Sequence, residues 1–157
     1  MNLPDDGFHR RLYQVSPGDL SGQTAQTTGM RRVEAISGAT VGSSGLWMGQ
    51  THVSPSTSSA NHHHGHSETG IYVAQGHPEF VFLDENGVET RLVTAPGSYI
   101  YVPAWVPHRE ENPDPSEEAV VVIARTTQEA IVVNLPDLEW VGPVAITDLS
   151  GLDTGEC

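Results

Sequence analysis

Short hydrophobic stretches separated by turn-forming residues run along most of the 157-residue chain. Most are rich in Val, Ile, Tyr, Phe or Thr, and Gly, Pro, Asn or Asp occupy the gaps between them, a pattern typical of β-strands. The predicted strands are FHRRLYQV from Phe8, MRRVEAI, LWMGQTHV, IYVAQ, EFVFLD, VETRLV, SYIYVP, AVVVIA and IVVN. Helical periodicity is absent apart from short turns near Asp137 and in the tail. The chain is therefore predicted to be all-β, as a sandwich or a small barrel.

The gaps between the predicted strands carry turn signals. Asn86-Gly87 separates EFVFLD from VETRLV, and this dipeptide predicts a tight hairpin because both residues accept a positive φ. VSPSTSSAN, residues 53–61, is expected to be a loop, and EENPDPSEE, residues 110–118, a solvated acidic turn. The Gly- and Asp-rich stretch after Leu138 is expected to be loosely held.

Length and charge limit the classes of function. A chain of 157 residues fits one domain with one core, here residues 1–157. The formal charge of −13 repels nucleic acid and anionic lipid surfaces, so neither is expected as a partner. No apolar run reaches the roughly 20 residues of a membrane helix, and the N-terminus lacks a signal-peptide pattern, so a cytoplasmic location is expected. The single cysteine, Cys157, excludes an intrachain disulfide.

Four histidines lie within the five residues 62–66, in the stretch ANHHHGHSETG. Alternate residues of a strand share a face, so His62 and His64 can both point at one ion. A third histidine must come from a distant strand, and His108 supplies it. Neutral imidazole suits zinc, iron, nickel or copper. The competing interpretation is a polar surface loop whose histidines bind nothing.

The stretch GSYIYVPAWVPHREEN, starting at Gly97, resembles the second signature of the cupin superfamily, with Trp105 in place of its second glycine. The first cupin signature maps onto HHHGHSETGIYVAQG, ending at Gly76. Over about residues 45–134, the resemblance implies a double-stranded β-helix, or jelly-roll, barrel that holds a divalent metal. The first signature would contribute two histidines and a carboxylate to the metal, and the second would contribute one histidine. The implied histidine ligands are His62, His64 and His108.

The carboxylate position is ambiguous. Counting forward from His64 gives Glu68, whereas counting back from Gly76 gives Thr69. A bulge at Gly70 would restore Glu68 to the inner face. His66 shares the parity of the other histidines and is a fourth nitrogen ligand if the strand stays regular. An outside donor such as His52, or water, is the remaining alternative.

Aromatic residues near the two signatures predict an apolar pocket that suits a flat hydrophobic small molecule. The predicted pocket residues are Trp47, Tyr72, Phe82, Tyr101 and Trp105. Trp105 replaces a glycine beside His108, so its ring is expected to narrow the pocket mouth or cover the metal. Arg91, Arg109 and Arg125 are the only arginines after the histidine run and lysine is absent, which argues against a sugar-phosphate isomerase.

The histidine-rich first signature and the chain length resemble the small cupin-type polyketide cyclases of aromatic polyketide pathways. That resemblance implies aldol-type ring closure of a folded poly-β-ketone, with His66, Glu68 or a metal-bound hydroxide as acid–base candidates. An all-histidine site suits a Lewis acid, so zinc is the favoured metal, with iron or nickel as alternatives. Glu68 on the metal would favour an iron-dependent dioxygenase. A noncatalytic ligand-binding cupin is the third alternative. The strands before the first signature are expected to pair with a second copy in a homodimer.

Overall fold

A computed structural model describes residues 11–138 and the short strand at 145–147. Its strands are β1 Met30–Ile36, β2 Trp47–Val53, β3 Thr57–Ser58, β4 His62–His63, β5 Thr69–Gln75, β6 Glu79–Leu83, β7 Glu89–Val93, β8 Tyr99–Val102, β9 His108–Asn112, β10 Ala119–Arg125, β11 Val133–Asn134 and β12 Ala145–Thr147. A three-residue 3₁₀ helix precedes β1, at Pro17–Asp19. None of the described residues forms a helix long and apolar enough to cross a membrane.

The strands form two sheets, which confirms the predicted all-β jelly-roll class. The first sheet has the order β1-β2-β10-β5-β8, and the second has the order β11-β4-β9-β6-β7-β12, with β3 also paired to β9. Within the described residues no strand pairing joins the two sheets. The two sheets are therefore not closed into a barrel, which was one of the two forms that the strand pattern predicted.

The core lies between the inner faces of the sheets. Buried and less buried residues alternate along β2 and β9, as expected for strands with one face turned to the interior. The larger apolar cluster consists of Ile71, Val73, Phe80, Val102 and Val121. A smaller cluster of Met30, Val53 and Ala119 fills the interior beside β1.

The last three residues of strand β9, residues 110–112, belong to the stretch that was predicted to be a solvated acidic turn. The strand's inward residues alternate with Arg109 and Glu111, which face the outer side of the second sheet. There Arg109 and Arg91 both pair with Glu111, while Arg109 also pairs with Glu89 and Arg91 with Glu79. These cross-strand ion pairs compensate the charges that made the stretch look like a solvated turn.

Two further predictions need correction. Residues 8–10 of the strand predicted from Phe8 lie outside the described residues, and residues 11–15 form no strand. The hairpin between β6 and β7 is present, but only Gly87 has a positive φ, of 74°. The Asp84 carboxylate accepts the backbone N–H groups of Asn86 and Val88, so this loop is longer than a two-residue turn. Of the tail after Leu138, only the backbone of β12 is described.

Candidate metal centre

Two strands of the second sheet bring three histidines together. His62 in β4 is the direct partner of His108 in β9, and their ring centroids are 4.5 Å apart. His64, just after β4, has its ring centroid 4.9 Å from each of the other two. The structure therefore places together the three histidines that the sequence singled out as ligands.

Backbone hydrogen bonds fix the tautomer of all three rings. The Nδ1 atoms of His62, His64 and His108 lie 2.7, 2.8 and 2.9 Å from the carbonyl oxygens of Ala60, Ile131 and Val106. A carbonyl oxygen only accepts, so each Nδ1 carries the hydrogen and each neutral ring keeps its lone pair on Nε2. Histidines that bind metals typically donate their other ring N–H to a backbone carbonyl or a carboxylate in this way.

A carboxylate completes the cluster. Glu110 lies two residues after His108 on the same face of β9, and its Oε1 is 4.0 Å from His108 Nε2. One ligand atom from each of His62, His64, His108 and Glu110 lies within 4.8 Å of the others. Three imidazole nitrogens and one carboxylate oxygen make a donor set that suits a divalent transition metal.

Burial keeps two of these histidines in the form that binds metal. It lowers the pKa of His64 to about 4, with repulsion from His108 and His62 in the same direction. Burial also lowers the pKa of His108. Both rings are therefore neutral at pH 7. His108 Nε2 is buried and has no hydrogen-bond partner in the described part of the chain, which is the arrangement expected at an atom that ligates an ion.

The structure places the predicted fourth ligands outside this cluster. Gly65 adopts a positive φ of 55°, and the turn at residues 65–66 ends the strand, so His66 is exposed to solvent rather than aligned with His64. Glu68 is also exposed and accepts a hydrogen bond from the Tyr101 hydroxyl.

The carboxylate position of the first signature is occupied by Thr69, the residue found by counting back from Gly76. Thr69 is 6% exposed and lines the cavity beside His62 and His64. A threonine therefore stands where the first signature calls for a carboxylate. The other suggested donor, His52, lies in β2 and contacts Glu118 and Gln50 rather than the cluster.

The cluster lies between two cavities. The first, the metal-side cavity, has a volume of about 460 Å³ and is bounded in part by His62, His64 and Glu110. The second, the apolar cavity, has a volume of about 520 Å³ and is lined mostly by the hydrophobic side chains of β6 and β8, together with His108.

Two of the five predicted pocket residues, Phe82 and Tyr101, line the apolar cavity. Trp47 is buried beneath the Arg125 guanidinium, and Tyr72 packs against Tyr99. Trp105 is 63% exposed and packs beside His63, so it neither covers the cluster nor narrows either cavity.

Sequence reasoning missed two kinds of site residue. Glu110 was assigned to a turn, although its spacing of two from His108 would have placed it on the same face of a strand. Arg32 and Arg125 line the metal-side cavity, whereas few charged groups were expected there. They come from β1 and β10, and no local signal links these strands to the histidine run.

Comparisons with known proteins agree with this geometry. A family model for the cupin domain matches residues 49–124. Among solved structures, the polyketide cyclase RemF from Streptomyces resistomycificus has a TM-score of 0.64 and 20% identity, covering 80% of this chain and 86% of that chain. No curated protein sequence matches the chain significantly.

Two larger proteins share the fold. Oxalate oxidase in complex with glycolate has a TM-score of 0.59 and 19% identity, covering 73% of this chain and 59% of that chain. A variant of oxalate decarboxylase from Bacillus subtilis has a TM-score of 0.64 and 17% identity, covering 81% of this chain and 34% of that chain. The family match shows a cupin domain over residues 49–124, and the two-sheet architecture and the clustered histidines agree with it.

Proposed function

We propose that this cupin is a metal-dependent enzyme that closes a ring in a folded poly-β-ketone by aldol-type condensation. The observation that carries the proposal is the convergence of His62, His64, His108 and Glu110 between two cavities. The likeness to RemF supports it, because this chain covers 86% of that cyclase and much smaller fractions of the two oxalate enzymes.

A divalent metal held by these four residues would supply Lewis-acid chemistry, polarising a substrate carbonyl and stabilising the negative charge that develops on its oxygen. The chain's own residues do the rest. The backbone carbonyls behind the three histidines hold the rings in place before substrate binds. The apolar cavity, with Phe80, Phe82 and Ile100 among its lining residues, offers a hydrophobic surface that orients a hydrophobic chain for ring closure.

Glu110 is assigned to the metal site in this proposal, because it is the only carboxylate lining the metal-side cavity among the described residues. His66 and Glu68, the acid–base candidates from the sequence, are exposed and line neither cavity. We therefore assign them no part in the reaction.

The experiment uses the zinc-loaded protein and a linear poly-β-ketone model compound, with the dehydrated cyclic product followed by mass spectrometry. His108→Ala is expected to reduce product formation at least about 100-fold, the scale on which loss of a transition-state contact acts. His66→Ala is the matched control, since it removes an exposed histidine of the same run and is expected to keep full activity. Unchanged product formation by a metal-free His108→Ala protein would refute the proposal.

A second function is favoured by one observation, the presence of the Glu110 carboxylate among the histidines. Mixed histidine and carboxylate sites suit ferrous iron and oxygen activation, which is the chemistry of a dioxygenase. Oxygen uptake by the iron-loaded protein with a β-diketone, without ring closure by the zinc-loaded protein, would favour this function. Ring closure without oxygen uptake would favour the cyclase.

A further inference from the structure

Two arginines face the metal cluster from the opposite sheet. Arg32 in β1 and Arg125 in β10 both line the metal-side cavity that also contains His62, His64 and Glu110. Both belong to the inward-facing set of the first sheet, because Arg32 is the register partner of Thr51, and Arg125 is the partner of Thr69. The histidines thus form one wall of the cavity and the guanidinium groups lie on the other.

The two cavity arginines differ from the other partly buried arginines in their ion pairing within the described residues. In the described part of the chain, neither Arg32 nor Arg125 forms an ion pair with a carboxylate. Arg91 and Arg109 on the outer face of the second sheet, by contrast, have two carboxylate partners each. This difference stands out in a chain with 20 acidic and 7 basic residues. Placing two positive charges in one cavity costs free energy unless an anion binds between them.

Local contacts hold both groups in place while leaving donors free. Arg125 stacks over the Trp47 ring at 3.9 Å, and its Nε and Nη2 donate to the carbonyls of Thr127 and Gln128. Arg32 Nη1 donates to the Thr27 hydroxyl at 2.8 Å. Among the described residues, Arg125 Nη1 and Arg32 Nη2 have no hydrogen-bond partner. Burial, together with repulsion from Arg32, lowers the pKa of Arg125 to about 10, which leaves it charged at pH 7.

We infer that Arg32 and Arg125 bind a carboxylate group of the substrate, so that this cupin acts on an acid rather than on a neutral ketone. The inference rests on the proposed function for the statement that the bound molecule is the substrate. A carboxylate accepts charge-assisted hydrogen bonds from two guanidinium groups in a directional manner. Glu110 lines the same cavity and Glu34 attracts Arg125 electrostatically, and these two negative charges favour a monoanion over a phosphate dianion.

The test compares benzoate, its neutral analogue benzamide and inorganic phosphate as probes of the full-length protein. Dissociation constants are measured by ligand-observed NMR titration, with and without zinc. Metal-free and zinc-loaded wild-type protein should each bind benzoate at least about tenfold more tightly than benzamide, as expected for charge-assisted hydrogen bonds. Arg32→Gln and Arg125→Gln should each reduce that preference to about twofold or less.

Arg31→Gln is the matched control, because it removes the same charge from an exposed position of the same strand and should keep the preference. Equal affinity of the wild-type protein for benzoate and benzamide would overturn the inference, and so would phosphate binding as tightly as benzoate. A preference that survives both cavity variants would also overturn it. The proposed function fails separately, through absence of metal uptake or ring closure, and neither result alters the benzoate preference of the metal-free protein.

Discussion

His62 and His108 are direct partners across the β4–β9 ladder, and their ring centroids are 4.5 Å apart. The pairing of two short strands therefore sets the distance between two candidate ligands that are remote in sequence. Each ring is also held from behind by a hydrogen bond to a carbonyl oxygen. The fold thus positions the residues of the candidate metal centre.

Removal of metal is expected to lower the stability of the protein. An ion that binds only the folded state at about 100 times its dissociation constant adds about 2.7 kcal/mol, or about 5–10 °C in the melting temperature of a chain of this size. The comparison is between thermal melts in zinc and in EDTA. Equal melting temperatures under the two conditions would count against the metal centre.

The metal-free protein is expected to lose stability as the pH falls from 6.5 towards 5. The folded-state pKa values of His64 and His108 lie below the ordinary value of 6.5, so in this range the unfolded chain takes up protons that the folded chain does not. Above pH 6.5 both states are neutral at these residues, and the effect disappears.

Urea unfolding in EDTA at pH 7.5 and pH 5.2 measures this effect. His64→Gln should reduce the difference between the two midpoints, because the variant lacks the group that resists protonation. A wild-type midpoint that stays constant or rises at the lower pH would contradict the account.

Trp105→Gly is expected to be more stable than Trp105→Ala by about 1 kcal/mol. Trp105 has a φ of 68°, in the left-handed region that favours glycine, and the cupin signature has glycine at this position. Its side chain is 63% exposed, so both variants lose little buried area. Urea unfolding of the two variants measures the difference, and equal stability would show that the backbone is not strained at this residue.

Asn112, the last residue of the second signature, is predicted to be structural. Its Nδ2 donates to the carbonyls of Val53, Ser54 and Glu117, and the residue is 1% exposed. Asn112→Ala should cost about 3 kcal/mol, because buried carbonyl groups lose their donor, whereas the exposed control Asn86→Ala should change stability little. The free energies of unfolding by urea test this. A stable Asn112→Ala protein would contradict the structural assignment.

Much of the fold was accessible from the sequence. Alternating strands and turn residues predicted the all-β class, and the cupin resemblance predicted a jelly roll. His62, His64 and His108 were singled out because a strand places alternate residues on one face and the second signature supplies the third histidine. That these residues bind metal remains a prediction.

The rest depended on features that the sequence does not display. The glycine Gly65 has a left-handed conformation and turns the chain just after His64, so the alternation of strand faces does not extend to His66. Glu110 lies in a stretch whose charges suggested solvent, and ion pairs on its outer face stabilise that stretch as a strand. Arg32 lies near the candidate metal centre because the two sheets face each other, and no local sequence pattern indicates that arrangement.

The most direct test of the central claim is the metal content of untagged protein prepared without added metal, measured by elemental analysis for the wild type and four alanine variants. We expect nearly one divalent transition metal ion per chain in the wild type, in His66→Ala and in Glu68→Ala, and a much lower content in His108→Ala and Glu110→Ala. Metal that persists in His108→Ala and Glu110→Ala but is lost with Glu68→Ala would contradict the account.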